Sequence, residues 1–302
     1  MKIKKALCLL LSLVMILGTA PSAIISAEEN ETTDEIKVYM TVVNKGVIAS
    51  DNEGNIMANR ELTVSDIDED GKFTFHEALI AAHKEYNSED GYDAGSGNGV
   101  SVVKLWGIDS YNNLFFINDV GIPDGVGINE VKDGNFLTTS ICQDSKYYCD
   151  RYTFFDKKEV TAIENEEFTL NLKGFWGMAY EEDDLLPKPF EGLSLCTWQD
   201  GELKEIEGKV TDEEGSVNLS FSEAGTYYVT AKGTVKAMVT DWWTMKEVEA
   251  DCPIIAPLCI VTVEEEKIAP PESIQIEHDS ENVIDGVIIA KKGDKFNLLA
   301  FD

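Results

Sequence analysis

The chain has 302 residues and carries 25 basic side chains against 56 acidic ones, for a net charge of −31. That balance repels polyanions, so neither nucleic acid nor an anionic membrane surface is expected as a partner. At 43% hydrophobic and 9% aromatic the composition is too apolar for a disordered chain, and the length allows two domains and part of a third.

Residues 1–27 read as a secretory signal peptide in the bacterial style. Lys2, Lys4 and Lys5 precede an apolar run over residues 6–17, and Ile25-Ser26-Ala27 supplies small residues for cleavage. The run is too short to span a bilayer comfortably. Cys8 lies early in it, which argues against a lipoprotein anchor. The expected location is therefore outside the cell, secreted or wall-associated, with no membrane insertion after cleavage. Losing the three lysines takes the charge to about −34.

An acidic linker over residues 28–36 leads into a first strand at 37–43, where apolar residues alternate. A turn at 51–55 and a second strand at 61–64 follow. The next twelve residues, 66–77, carry a metal-binding pattern. Asp66, Asp68 and Asp70 alternate so that three carboxylates can converge on one point. Gly71 stands where the chain must turn sharply and where a Cβ is expected to clash. Lys72 is asked only for its backbone carbonyl, and Glu77 can close the site as a bidentate ligand. This is the pattern of an EF-hand loop, and calcium is the expected ion. The alternative is a solvated acidic turn with Asp or Ser capping the helix that follows. That helix is expected from Phe75 to Tyr86, with Phe75, Leu79, Ala82 and Tyr86 on one stripe. A strand enters the loop where a standard EF-hand has a helix, and no second such loop occurs, so calcium is expected to act as a structural clamp.

A glycine-rich loop at 91–99 precedes strands at 100–106, 114–118 and 135–141, and a hairpin around 143–148 is expected to lead into a strand at 152–155. Strand, strand, helix, then strands is an α+β order. Over residues 37–156 the chain resembles the transcobalamin C-terminal-like domain of secreted Firmicute proteins. The resemblance rests on Phe73-Thr74-Phe75-His76-Glu77-Ala78-Leu79, Val102-Val103-Lys104-Leu105-Trp106-Gly107, Leu114-Phe115-Phe116-Ile117-Asn118 and Val131-Lys132-Asp133-Gly134-Asn135. It implies a β-grasp-like fold. No helical cobalamin-binding domain accompanies it, so that ligand does not carry over.

Residues 157–266 show short alternating strands with a turn about every ten residues, the pattern of an all-β sandwich. The stretches 208–221 and 224–231 are similar to bacterial Ig-like repeats of surface proteins, which implies a fold and is nearly silent on function. Residues 267–302 look like the start of a further Ig-like repeat, with strands at 273–276 and 295–299, and are expected to be a truncated one.

Cys142, Cys149, Cys196, Cys252 and Cys259 remain after cleavage. Cys142/Cys149 and Cys252/Cys259 are spaced for local bridges, though sequence does not fix the pairing, and neither pair has metal or redox spacing. His76 and His83 lie two turns apart, too far for a chelating pair, and His76 is expected to face solvent. No nucleophile elbow, Walker loop or dinucleotide fingerprint occurs, and acidic pairs such as Asp183/Asp184 are expected from composition alone. Trp242-Trp243 is the one exposed-looking aromatic pair; in a strand one ring would enter the core and the other could stack on a ligand. The sequence thus points to a modular binding or adhesion protein with no catalysis of its own, taking a glycan or protein at the cell surface. The alternative is a set of accessory modules of a larger secreted carbohydrate- or protein-degrading enzyme.

Overall fold

The computed structural model describes residues 35–95, 101–122, 124–179, 185–199 and 202–266, together with the backbone of strands 273–278, 283–284, 287–288 and 296–301. The expected leader, most of the expected linker, the glycines at 97 and 99, the acidic run 181–184 and the prolines at 270 and 271 lie outside the described residues. All that is described up to residue 266 is strand-rich, with one α-helix.

The first region runs β1 (Glu35–Asn44), β2 (Val47–Ile48), β3 (Arg60–Ser65), α1 (Phe75–Tyr86), β4 (Asp93–Ala94), β5 (Val102–Leu105), β6 (Ile108–Asp109), β7 (Asn113–Ile117), β8 (Val120–Gly121) and β9 (Phe136–Ile141). Its main sheet is six-stranded, in the order β2-β1-β9-β7-β8 with β3 on β1. Strand β1 is antiparallel to β3 and parallel to β9. The helix covers one face, laying Phe75, Ala78, Leu79 and Ala82 on Val38, Met40, Val42, Leu62 and Val64. Each large side chain buried this way stabilises the fold by roughly 1.5–3 kcal/mol. The expected helix and its apolar stripe are both found, with Tyr86 packed at the margin of the cluster.

His83 is buried on this helix. Its Nδ1 is 2.7 Å from the Leu79 carbonyl, and its Nε2 is 2.9 Å from the Trp106 backbone nitrogen. A carbonyl can only accept and an amide N–H can only donate, so the ring is neutral with its proton on Nδ1. Burial accordingly holds its pKa below the ordinary imidazole value.

The second region comprises β10 (Arg151–Phe155), β11 (Glu159–Ile163), β12 (Phe168–Trp176), β13 (Lys188–Pro189), β14 (Ser194–Gln199), β15 (Glu202–Val210), β16 (Ser216–Leu219), β17 (Gly225–Lys232), β18 (Thr234–Asp241), β19 (Lys246–Ile255) and β20 (Cys259–Glu264). One sheet has the order β13-β12-β10-β19-β18, with β16 on β12; the other is β11-β20-β17-β14-β15. Leu170, Leu172, Leu193, Leu195, Val217, Val229, Ile254 and Val261 pack into one cluster between them. This is a β-sandwich, as the alternating pattern implied.

The hairpin expected around residues 143–148 does not form. Strand β9 pairs with β1 and β7, whereas β10 pairs with β12 and β19 in the other sheet. The connection instead crosses between sheets on two aspartates. Asp144 accepts from the N–H groups of Lys146, Tyr147 and Cys149, and buried Asp150 accepts from those of Gln143 and Asp144. Side-chain acceptors thus satisfy the backbone where a ladder would otherwise do so.

The two regions share a third apolar cluster, in which Val43, Ile48 and Phe116 meet Tyr152, Phe175 and Ile255. Tyr152 stacks on Phe116 at a centroid separation of 3.7 Å. Its hydroxyl donates to Asp119 Oδ1 at 2.8 Å, and Lys158 Nζ lies 2.6 Å from Asp119 Oδ2. This junction explains why β1 loses its alternation after Met40: Val42 faces the helix and Val43 faces the second region. Further along, β21 (Ser273–His278) pairs antiparallel with β24 (Phe296–Phe301), and β22 (Val283–Ile284) with β23 (Val287–Ile288). Among the described residues these strands join no other sheet.

Candidate metal centre and cleft

The acidic loop links β3 to α1. One carboxylate oxygen from each of Asp66, Asp68 and Asp70 lies within 4.8 Å of the others. Asp66 is half-buried and the other two are exposed. Asp66 accepts from the N–H groups of Asp70, at 3.2 Å, and Gly71, at 2.7 Å. Asp70 in turn accepts from Lys72 N at 2.9 Å. These bonds wind the loop around its own carboxylates. Gly71 is needed for its left-handed backbone, φ +84, and an added Cβ would meet nothing within 4 Å. The clash expected from sequence is therefore not the reason for glycine; the dihedral is. Glu69 is also left-handed, at φ +58.

Glu77 is held apart from this cluster. Its Oε1 accepts from Ile67 N at 2.6 Å, and its Oε2 accepts from Thr74 N at 2.8 Å and from the Thr74 hydroxyl at 3.0 Å. The Thr74 hydroxyl oxygen in turn accepts from Glu77 N, which completes a capping box at the start of α1. The cap is Thr74, neither Asp nor Ser, and its signal was present as Thr74-x-x-Glu77. Glu77 thus ties the loop's first turn to the helix that follows it. The Lys72 ammonium turns to Glu130 Oε1 at 2.8 Å, where both side chains are exposed.

The segment 126–131 closes the other side of the loop. Val131 N donates to the Phe73 carbonyl at 2.7 Å, Phe75 N to that of Asn129 and His76 N to that of Val126. The last two satisfy early helix N–H groups that have no partner inside α1. His76 does not simply face solvent: it is half-buried, and its Nδ1 is 2.7 Å from the Tyr92 hydroxyl.

The second candidate is a cleft of about 900 Å³ in the second region, lined by Tyr147, Arg151, Trp176, Lys236, Met238 and Trp242 among others. Trp242 and Trp243 are not in a strand. Asp241 ends β18, and its carboxylate accepts from Trp243 N at 2.9 Å, folding residues 242–245 into the turn before β19. Hydrogen bonding by Trp243 N lowers the Asp241 pKa. The expectation that one ring enters the core is therefore corrected, since Trp242 is 52% and Trp243 89% exposed. Trp242 walls the cleft, with its Nε1 donating to the Tyr147 carbonyl at 3.4 Å. Trp176 Nε1 donates to the carbonyl of Tyr148 at 2.8 Å. The crossing loop at 143–150 thus places aromatic side chains on this cleft, which sequence reading missed because it cast that loop as a hairpin.

All five described cysteines are buried free thiols, so neither local bridge that the spacing would allow is present. Burial pushes the thiol of Cys259 up to about 12 and those of Cys142 and Cys149 higher still. Comparison of the chain with known protein families and with curated proteins gives no match in either case.

Proposed function

We propose that the protein is an exported bacterial binding protein, with a β-grasp-like first region clamped by one calcium ion and an Ig-like second region that offers a ligand cleft. The observation that carries the reading is the convergence of the Asp66, Asp68 and Asp70 oxygens within 4.8 Å. Hard oxygen donors at this spacing suit calcium better than softer metals, and among the described residues no histidine or thiol joins them. The Lys72 carbonyl and Glu77 would supply further oxygens, with Glu77 giving up its bond to Ile67 N in doing so. Calcium there neutralises three carboxylates that otherwise repel one another, and it fastens the start of α1 to the end of β3. In the second region the aromatic lining of the cleft, Tyr147, Trp176 and Trp242, suits a surface glycan or protein.

The test is thermal melting of the whole protein in chelator and in calcium. At a hundredfold excess over Kd the ion adds about 2.7 kcal/mol, a rise in Tm of roughly 5–10 °C. Asp66→Asn abolishes the rise. An unchanged wild-type Tm in millimolar calcium refutes the clamp.

A further inference from the structure

Strands β10 and β19 run parallel, with Arg151 opposite Ile254 and Tyr152 opposite Ile255. Continuing that register two residues back brings Cys149 beside Cys252. Paired residues of adjacent strands point to the same face, and a step of two preserves it. The spacing of neighbouring strands, about 4.8 Å, lies inside the Cα separation that a disulfide spans. The side chains agree with the register, because Cys252 is among the neighbours that raise the Cys149 pKa. Among the described residues, no other cysteine is among the groups that shift the thiols of Cys142, Cys196 or Cys259.

We propose that Cys149 and Cys252 form a disulfide in the mature protein, tying the loop that crosses between the regions to strand β19 at the base of the cleft. Cys149 lines that cleft and so meets a small oxidant first. With a low-molecular-weight disulfide such as oxidised glutathione the reaction is two exchanges. The Cys149 sulfur loses its proton to solvent and attacks the oxidant, releasing one glutathione thiolate and leaving a mixed disulfide. Cys252 then attacks the Cys149 sulfur, releases the second glutathione and completes the protein bridge. Two protons and two electrons leave the protein, and the oxidant's disulfide becomes two thiols. Arg151 Nη2 lies 3.8 Å from Cys252 Sγ. The bridge closes a loop of about a hundred residues, long enough for a large effect on the unfolded chain.

The proposal does not depend on calcium or on the cleft's ligand. The whole chain is equilibrated with oxidised glutathione, both as folded protein and during refolding from denaturant. Thiols are then counted under denaturing conditions with a mass-tagging maleimide. The expected result is two thiols fewer than in reduced protein, and a non-reduced proteolytic fragment joining Cys149 to Cys252. The oxidised form melts roughly 5–10 °C above the reduced one. Cys196→Ser leaves the loss of two thiols unchanged, whereas Cys252→Ser abolishes it. A full thiol count after both treatments overturns the proposal, as does a bridge mapped to Cys142, Cys196 or Cys259.

Discussion

The two regions build their candidate sites in opposite ways. The acidic loop is one stretch of twelve residues whose carboxylates are wound together by their own backbone, through the bonds from Asp70 N and Gly71 N to Asp66. The cleft is assembled from the crossing loop, β10, β12, β13, β18 and the turn after it, segments separated by up to a hundred residues. A local site depends on spacing and dihedrals that sequence states directly. An assembled site depends on register, which no single segment contains. The junction around Phe116 and Tyr152 joins the two kinds of construction into one body.

Three measurements would break or sharpen this contrast. The largest effect is expected at the junction, where Phe116→Ala removes the ring stacked on Tyr152. A loss of about 3–5 kcal/mol in urea denaturation is expected, since a buried aromatic leaves a cavity. The transition should stay single. Its separation into two would show that the regions fold independently.

Next comes pH. The unfolded chain protonates His83 near 6.5, while burial lowers that pKa in the folded state. Between those values the unfolded state holds more protons, so stability falls as pH drops below about 6.5. His76, also lowered by burial, contributes in the same window. His83→Gln should flatten the fall in Tm between pH 7.5 and 5 without removing it. An unchanged slope would mean that His83 does not hold the helix in its neutral form.

The smallest effect is expected at the turn. Trp243 is 89% exposed, so Trp243→Ala should move stability by no more than ~0.5 kcal/mol. Trp242→Ala should be equally mild for folding yet weaken any ligand of the cleft. A large loss of stability from Trp243→Ala would mean that this ring packs against something.

Several elements are legible in the sequence. The span of α1 follows from its apolar stripe, and β1, β3, β7 and β9 from alternation between turn residues. The acid triad follows from spacing alone. Other features were present in the sequence and misread. Thr74-x-x-Glu77 is a capping box, and it gives Glu77 a structural task at a position otherwise assigned to the ion. Asp241 is a turn former, and it takes the two tryptophans out of the strand. Gly71 was rightly singled out, but for crowding when its dihedral is the cause.

What the sequence determined by itself was therefore whatever depends on neighbours within about a dozen residues: the helix, the strand faces and the winding of the acidic loop. Tertiary structure alone decided that β10 joins the second sheet, that Cys149 faces Cys252, and that both faces of β1 are covered. The physical reason is the same in each case. Hydrogen-bonded strands meet according to the packing of whole faces, and the free energy that selects one register is spread over clusters such as that of Val43, Phe116, Tyr152 and Ile255.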